Sequence, residues 1–295
     1  MKFLIRKNVL IKNLVFTPVF VLLLSQLLAT AKANIVDTRK LFKDGSSATS
    51  FDASIDSLCF SNHGFKSSMG KNPFGRMLGA IADKKGACQG MVGLAAAVKL
   101  KIEFRPHEKQ MSKKTINKKL KKAIRLHQNN CGGKVIINGY QNLKSLCFEH
   151  EDILKKRSVF YNLALARKEI LRYGPTFFIK PILENPVRKT RHLLKHLKSM
   201  YQDLKKGRFP LMLVRNHVTL VTNFQVKRNS DGYITKVILS HYDPNRILTS
   251  NGDLRKRVFI FSKDGSEIKG RYLIWNITPR PLTKFYCPFI KKDIE

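Results

Sequence analysis

Acidic residues are scarce in this chain: 20 Asp and Glu stand against 56 Lys and Arg, a formal charge of +36 at neutral pH. That deficit excludes an electrostatically neutral surface and selects anionic partners, such as phosphate backbones, lipid headgroups or acidic envelope polymers. The charge is spread along the whole chain without a single basic tail, which suits an envelope-associated surface. Aromatic residues are not interleaved with the basic runs, so a stacking surface for single strands is lacking and no specific nucleic-acid partner is expected. No cysteine spacing resembles a zinc site, and no metal or organic cofactor is expected. No low-complexity linker divides the chain, and beyond residue 33 no run is long and apolar enough to cross a bilayer.

What is present begins with the pattern of a secretory signal over residues 1–33. Lys2, Arg6, Lys7 and Lys12 form a basic start, residues 14–28 are almost wholly apolar, and Ala31-Lys32-Ala33 is a small-x-small cleavage site. Ala29-Thr30-Ala31 is an alternative cut, and an uncleaved anchor is the rival reading. Pro18, Ser25 and Gln26 interrupt the apolar run and argue against a span. The expectation is an exported protein, periplasmic or extracellular, beginning near Asn34. Five Lys and Arg lie in the signal, so 51 basic residues face 20 acidic ones over the remaining 262, a charge of +31.

Five cysteines remain: Cys59, Cys88, Cys131, Cys147 and Cys287. In an oxidising compartment an odd count leaves one thiol unpaired. Cys88 is the expected free thiol. Of the three pairings open to the other four, Cys131–Cys147 with Cys59–Cys287 is the expected one.

Residues 34–295 read as one domain, with a mainly helical lobe over 34–185 and a helix plus an antiparallel sheet over 186–295. Residues 34–85 look irregular. A helix is expected from Cys88 to about residue 100, with its Ala-rich face inward. Ser112 caps a second, with Ile116, Leu120, Ala123 and Ile124 at helical spacing. Lys113, Lys114, Lys118, Lys119, Lys121 and Lys122 crowd its other faces, either as a solvated face or as a dock for an anionic surface. A third covers 152–173, and a fourth covers 188–206 with His192 and His196 one turn apart. That spacing suits a metal, but no third ligand lies nearby, so both read as surface histidines. Strands follow at 211–214, 217–226, 233–242, 257–261 and 271–277, separated by Asn, Asp and Gly clusters. Helices followed by an antiparallel sheet indicate an α+β fold.

Three groups on these elements carry chemistry. Cys88, in Gly86-Ala87-Cys88-Gln89-Gly90-Met91, starts a helix, whose N-terminal partial positive charge favours a thiolate. His217 opens the apolar run 218–221 and is a candidate base and acid. Asp243, in Tyr242-Asp243-Pro244-Asn245, ends another strand and can orient the imidazole, with Asn245 as the rival for that place. His241, two residues before Asp243, and His63 are weaker candidates.

These motifs, in this order, resemble the papain-like cysteine peptidase superfamily, most nearly its bacterial branch of bacteriocin-leader and related secreted peptidases. The resemblance rests on the Cys88 motif, the break at Gly207-Arg208-Phe209-Pro210, the segment Asn216-His217-Val218-Thr219-Leu220-Val221, and Tyr242-Asp243-Pro244-Asn245. It implies a papain-like α+β fold in which Cys88 is the nucleophile, His217 the base and acid, and Asp243 the orienting residue. A peptide or isopeptide bond is then hydrolysed through an acyl-enzyme on a peptide or protein substrate.

One departure concerns the oxyanion donor, for which the family places a glutamine shortly before the cysteine. No glutamine lies between Asn34 and Cys88. Asn62 or Asn72 is the candidate substitute, alongside the backbone N–H of Cys88. The rival enzyme is a cell-wall peptidoglycan endopeptidase of the NlpC type, although Ala87 and Gln89 replace the acid and serine usual there. The rival from another class is an inactive papain-fold binder of anionic polymers.

Overall fold

The computed structural model of the chain describes residues 37–42, 45–62, 65, 69, 73–85, 87–173, 186–214, 217–245, 254–269 and 274–278. The expected export signal, His63, Asn72 and Cys287 lie outside these residues. Among the described residues no helix is long and apolar enough to cross a membrane.

The fold is α+β, with N-terminal helices packed on a C-terminal antiparallel sheet. Residues 34–85, expected to be irregular, contain two helices: α1 (Ala53–Asp56) and α2 (Pro73–Lys85). Pro73 occupies the first helical position, where its fixed φ and missing N–H cost nothing. Gly75 and Gly79 hide the periodicity that buries Leu78 and Ala82 one turn apart. The next helix, α3 (Cys88–Lys101), begins at the expected residue. A short βαβ unit follows, in which β2 (Ile102–Arg105) and β3 (Val135–Asn138) pair in parallel across α4 (Lys113–Gln128). The strands had not been expected, because four-residue apolar runs beside a strong helix carry little periodic signal. Ser112 caps α4 as anticipated, its hydroxyl accepting from the Thr115 N–H at 3.4 Å, and Ile116, Leu120, Ala123 and Ile124 are buried. Helices α5 (Leu143–Glu149) and α6 (Glu151–Tyr173) complete this half.

In the second half, α7 (Pro186–Lys205) precedes β4 (Leu211–Val214), β5 (His217–Arg228), β6 (Ile234–Tyr242), β7 (Arg255–Phe261), β8 (Ile268–Lys269) and β9 (Ile274–Asn276). The sheet order is β8-β7-β6-β5-β4-β9, all antiparallel. Strand β1 (Ser47–Ala48) pairs with Phe224 and Asn223 of β5, further along the edge that β4 occupies near His217. Both faces of the sheet are covered, which explains the long apolar strands. Leu211, Val218, Leu220 and Tyr242 join the core around α3, while Met212, Val221, Val237, Leu239 and Phe259 pack against Leu193, Leu197, Met200 and Tyr201 of α7. His192 and His196 are not the surface residues expected. They turn toward the sheet edge, where His192 hydrogen-bonds the backbone of Ile274 and Nδ1 of His196 accepts the Asn276 N–H at 3.1 Å.

α3 is the spine of the helical half. Ten of its residues, from Cys88 to Val98, are buried, so it is enclosed on every side rather than along one stripe. It lies against β5 and β4 and is flanked by α4 and α6. Its two glycines permit this. A Cβ on Gly90 would stand 1.9 Å from the Ser158 carbonyl oxygen, and one on Gly93 would stand 2.2 Å from the Tyr161 ring.

The expected disulfides are not the ones formed. Cys59 is bonded to Cys147, with Cα atoms 5.7 Å apart, and Cys131 is also in a disulfide. Both Cys131–Cys147 and Cys59–Cys287 are thereby excluded. The reason is topological: α1 packs against α5, which brings the segment just after α1 onto Cys147. Cys88 is a free cysteine, as expected.

Candidate active site

Three distant parts of the chain meet around Cys88. The helix start itself is set by Ala87, whose backbone (φ −115°, ψ 23°) is not yet helical and whose carbonyl accepts the Met91 N–H at 2.9 Å. No side chain of the N-cap residue closes this end. Asn62 does part of that work from outside, its Oδ1 accepting the Ala87 N–H at 2.5 Å. The other first-turn N–H groups have no partner within the helix, so partial positive charge gathers where Cys88 sits. Cys88 as a residue is 8% exposed.

His217 and Asp243 reach the site from the sheet. In the β5–β6 register Leu220 faces Tyr242, so Thr219 lies opposite Asp243 and His217 is its diagonal neighbour on the same face. The contact is direct, with His217 Nε2 and Asp243 Oδ1 2.8 Å apart. The second carboxylate oxygen accepts from Arg255 Nη1 at 3.0 Å, and the backbone N–H of Asn245 donates to Oδ1 at 3.0 Å. With Nε2 engaged, Nδ1 is the nitrogen left for proton exchange with the sulfur.

The electrostatics follow from these contacts. The hydrogen bond to Asp243, then the one to Cys88, outweigh partial burial and raise the His217 imidazole to about 9. At neutral pH His217 is therefore an imidazolium. Burial pushes the Asp243 carboxyl up, but the bonds from His217 and Asn245 and the charges of His217 and Arg255 overcome it and hold the group at about 2. A charged row, Arg255–Asp243–His217, thus ends at the thiol.

The sequence left two places for the third residue open, and the distances separate them. Asp243 takes Nε2 at 2.8 Å, whereas the Asn245 amide lies beside the other ring nitrogen, its Nδ2 3.5 Å from Nδ1. Asn62 closes a chain behind them. Its Nδ2 donates to Asn245 Oδ1 at 3.1 Å while its Oδ1 serves Ala87. The Ala87 N–H requires an oxygen, which fixes the orientation of the Asn62 amide and, through it, that of Asn245. Asn62 therefore acts as a strut between the Cys88 helix and the loop after β6.

His241 lies on the Asp243 face of β6, as alternation implied, and is 4% exposed. Burial, then the nearby Arg257, pull it down to about 4, so it is neutral at physiological pH. It forms no part of the row.

Arg255 was not foreseen, because the strand was expected to start at residue 257. The available signal was the basic triplet Arg255-Lys256-Arg257 beside a strand ending in Asp243. An antiparallel pairing there places Arg255 opposite His241 and diagonal to the carboxylate. Among the described residues no cluster of three His, Cys, Asp or Glu side chains is arranged to hold a metal ion. Comparison with known protein families, with characterised proteins and with solved structures gives no match to this chain.

Proposed function

We propose that this protein is an exported, papain-like cysteine peptidase that hydrolyses a peptide or isopeptide bond through an acyl-enzyme on Cys88. The observation that carries the reading is the convergence of a free thiol at a helix start with an imidazolium held at 2.8 Å by a carboxylate. An imidazolium and a helix N-terminus acting on one sulfur are the setting in which a cysteine serves as a nucleophile. Helices before sheet, with the thiol on the first and the imidazole on the second, support the papain-like assignment.

In this mechanism the Cys88 sulfur attacks the substrate carbonyl carbon, and the negative charge passes to the carbonyl oxygen beside the Cys88 N–H. As the tetrahedral species collapses, the carbon–nitrogen bond breaks and His217 donates its proton to the departing amine. The neutral imidazole then takes a proton from water as that water attacks the thioester. Cys88 leaves, the acid product departs, and the site returns to its starting state. Asp243 holds the ring in one orientation and stabilises its charge throughout. The high positive charge suits substrates or surfaces rich in anionic groups, such as envelope polymers.

The test is labelling with iodoacetamide at mildly acidic pH, followed by turnover of a peptide library. Rapid stoichiometric modification of Cys88, with turnover abolished by Cys88→Ala, supports the proposal. Full biological activity in Cys88→Ala refutes it and leaves the fold as a binding scaffold. Release of stem peptides from purified sacculi without cleavage of proteins redirects it to the wall-hydrolase chemistry.

A further inference from the structure

Away from the site, α4 and α6 flank a groove enclosing about 430 Å³. Lys121 and Arg125 of α4 line one wall, and Lys156 and Arg157 of α6 line the other. Lys121 and Arg125 are one turn apart, so both reach the same opening. None of the four has a carboxylate within ion-pair distance among the described residues. The two acids in the first turn of α6 are engaged elsewhere, Asp152 with Lys113 at 2.9 Å and Glu151 with Lys155 at 2.6 Å.

Arg157 is the informative member. Its guanidinium is part-buried and gives two hydrogen bonds, at 2.8 and 2.6 Å, to the Asn117 side-chain oxygen. That amide orients the fork without neutralising it. Burial, and the like charge of Arg125, both disfavour the charged form. A cation held in place, partly desolvated and facing a second cation, is costly to the fold alone. An anion in the groove removes that cost. Ile124, Gln128, Phe160, Tyr161 and Ala164 complete the lining, and the Phe160 ring lies 6.0 Å from the Arg157 guanidinium carbon. Phe160 is 38% exposed.

We propose that the α4–α6 groove is a binding site for an organic phosphate, its oxygens held by Arg125, Arg157, Lys121 and Lys156 and its apolar part lying on Phe160. The planar fork of Arg157 suits two phosphate oxygens, and the lysines add point charges. The small volume fits one headgroup-sized ligand rather than a duplex. The inference is independent of the proposed chemistry at Cys88.

The experiment uses the full-length mature chain and two probes: phenyl phosphate by calorimetry, and phosphatidylglycerol vesicles by flotation with phosphatidylcholine as the blank. Three variants are compared at equal net charge: Arg125→Gln/Arg157→Gln, Lys121→Gln/Lys156→Gln, and Lys227→Gln/Lys236→Gln on the remote β5–β6 pair. Both groove variants should weaken binding at least tenfold while the sheet variant changes it less than twofold. The lysine variant keeps the Arg157–Asn117 contact and serves if the arginine variant fails to fold. Binding of phenyl phosphate identifies a free ligand, and binding of vesicles alone identifies a lipid headgroup; both support the site. Equal weakening in all three variants, or binding of neither probe, overturns it, as does retention of an oligonucleotide by the groove variants when neither probe binds.

Discussion

Changing Asp243 to Asn isolates the charge on the carboxylate from its geometry, because asparagine keeps an oxygen where Oδ1 meets His217. In the native site the imidazole stands at about 9 instead of 6.5, with Asp243 the first cause and Cys88 the second. A displacement of that size corresponds to about 3 kcal/mol. The His217 side chain is 30% exposed, and screening reduces the part carried by the Asp243 charge to roughly 1–2 kcal/mol, about one pH unit. The alkaline limb of Cys88 alkylation, followed with iodoacetamide across pH 5–10, should move down by about one unit in Asp243→Asn. The imidazole resonances of His217 should titrate in step. Stability must follow with a definite sign. A histidine raised on folding stabilises fully below pH 6.5, and that contribution is lost as pH climbs through about 9. The wild-type melting temperature should therefore fall across this window more steeply than that of Asp243→Asn. A folded Asp243→Asn protein whose alkaline limb stays in place would refute the assignment of Asp243 as the source of the raised imidazole.

Arg255→Gln should move the same limb the other way, up by about 0.2–0.5 unit, since it removes a cation near the imidazolium; the pair is 45% exposed on the arginine side and contributes little to stability. Cys88→Ala and His217→Ala should each abolish turnover, and the double variant should be hardly worse, as expected of groups that act as one unit; additive losses in kcat/KM would show that they do not. Gly93→Ala should lower stability by about 1–3 kcal/mol, because its Cβ meets the Tyr161 ring at 2.2 Å, and a thermal melt unchanged from wild type would contradict the packing. Cys59→Ser/Cys147→Ser should cost about 2–5 kcal/mol in chemical denaturation, and mass mapping of the unreduced wild type should recover the Cys59–Cys147 peptide pair.

The order of the long helices and the later strands was legible because it depends on local pattern, whereas α1, α2, α5, β2 and β3 went unread. The Ser112 cap, the apolar run of β5 and the start of α3 were all written within windows of a few residues. The thiol, imidazole and carboxylate were likewise visible as types at the ends of elements. The missed contacts of the site and the disulfide needed three-dimensional pairing. The Cys59–Cys147 bond depends on α1 docking against α5, which no cysteine spacing encodes. Arg255 enters only through the β6–β7 register. The role of Asn62 emerges from a buried N–H at Ala87 that needs an oxygen, a requirement invisible until the helix start is in place. His192 and His196 misled because helical spacing reports which residues share a face, not what that face meets.

The row of contacts from Ala87 through Asn62 and Asn245 to the side of the His217 ring has a consequence in time. Its members come from four separate parts of the sequence, and the carboxylate they surround is steadied by a fifth, Arg255. Cys88 lies in the first third of the chain, so its thiol is synthesised long before the groups that would act with it. A chain ending short of β6 has no carboxylate for the imidazole, and one ending short of β7 lacks its arginine. Contacts this distant in sequence form late and slowly. The sulfur therefore gains its partners only when the sheet closes, and completion of the fold is itself the event that arms the site.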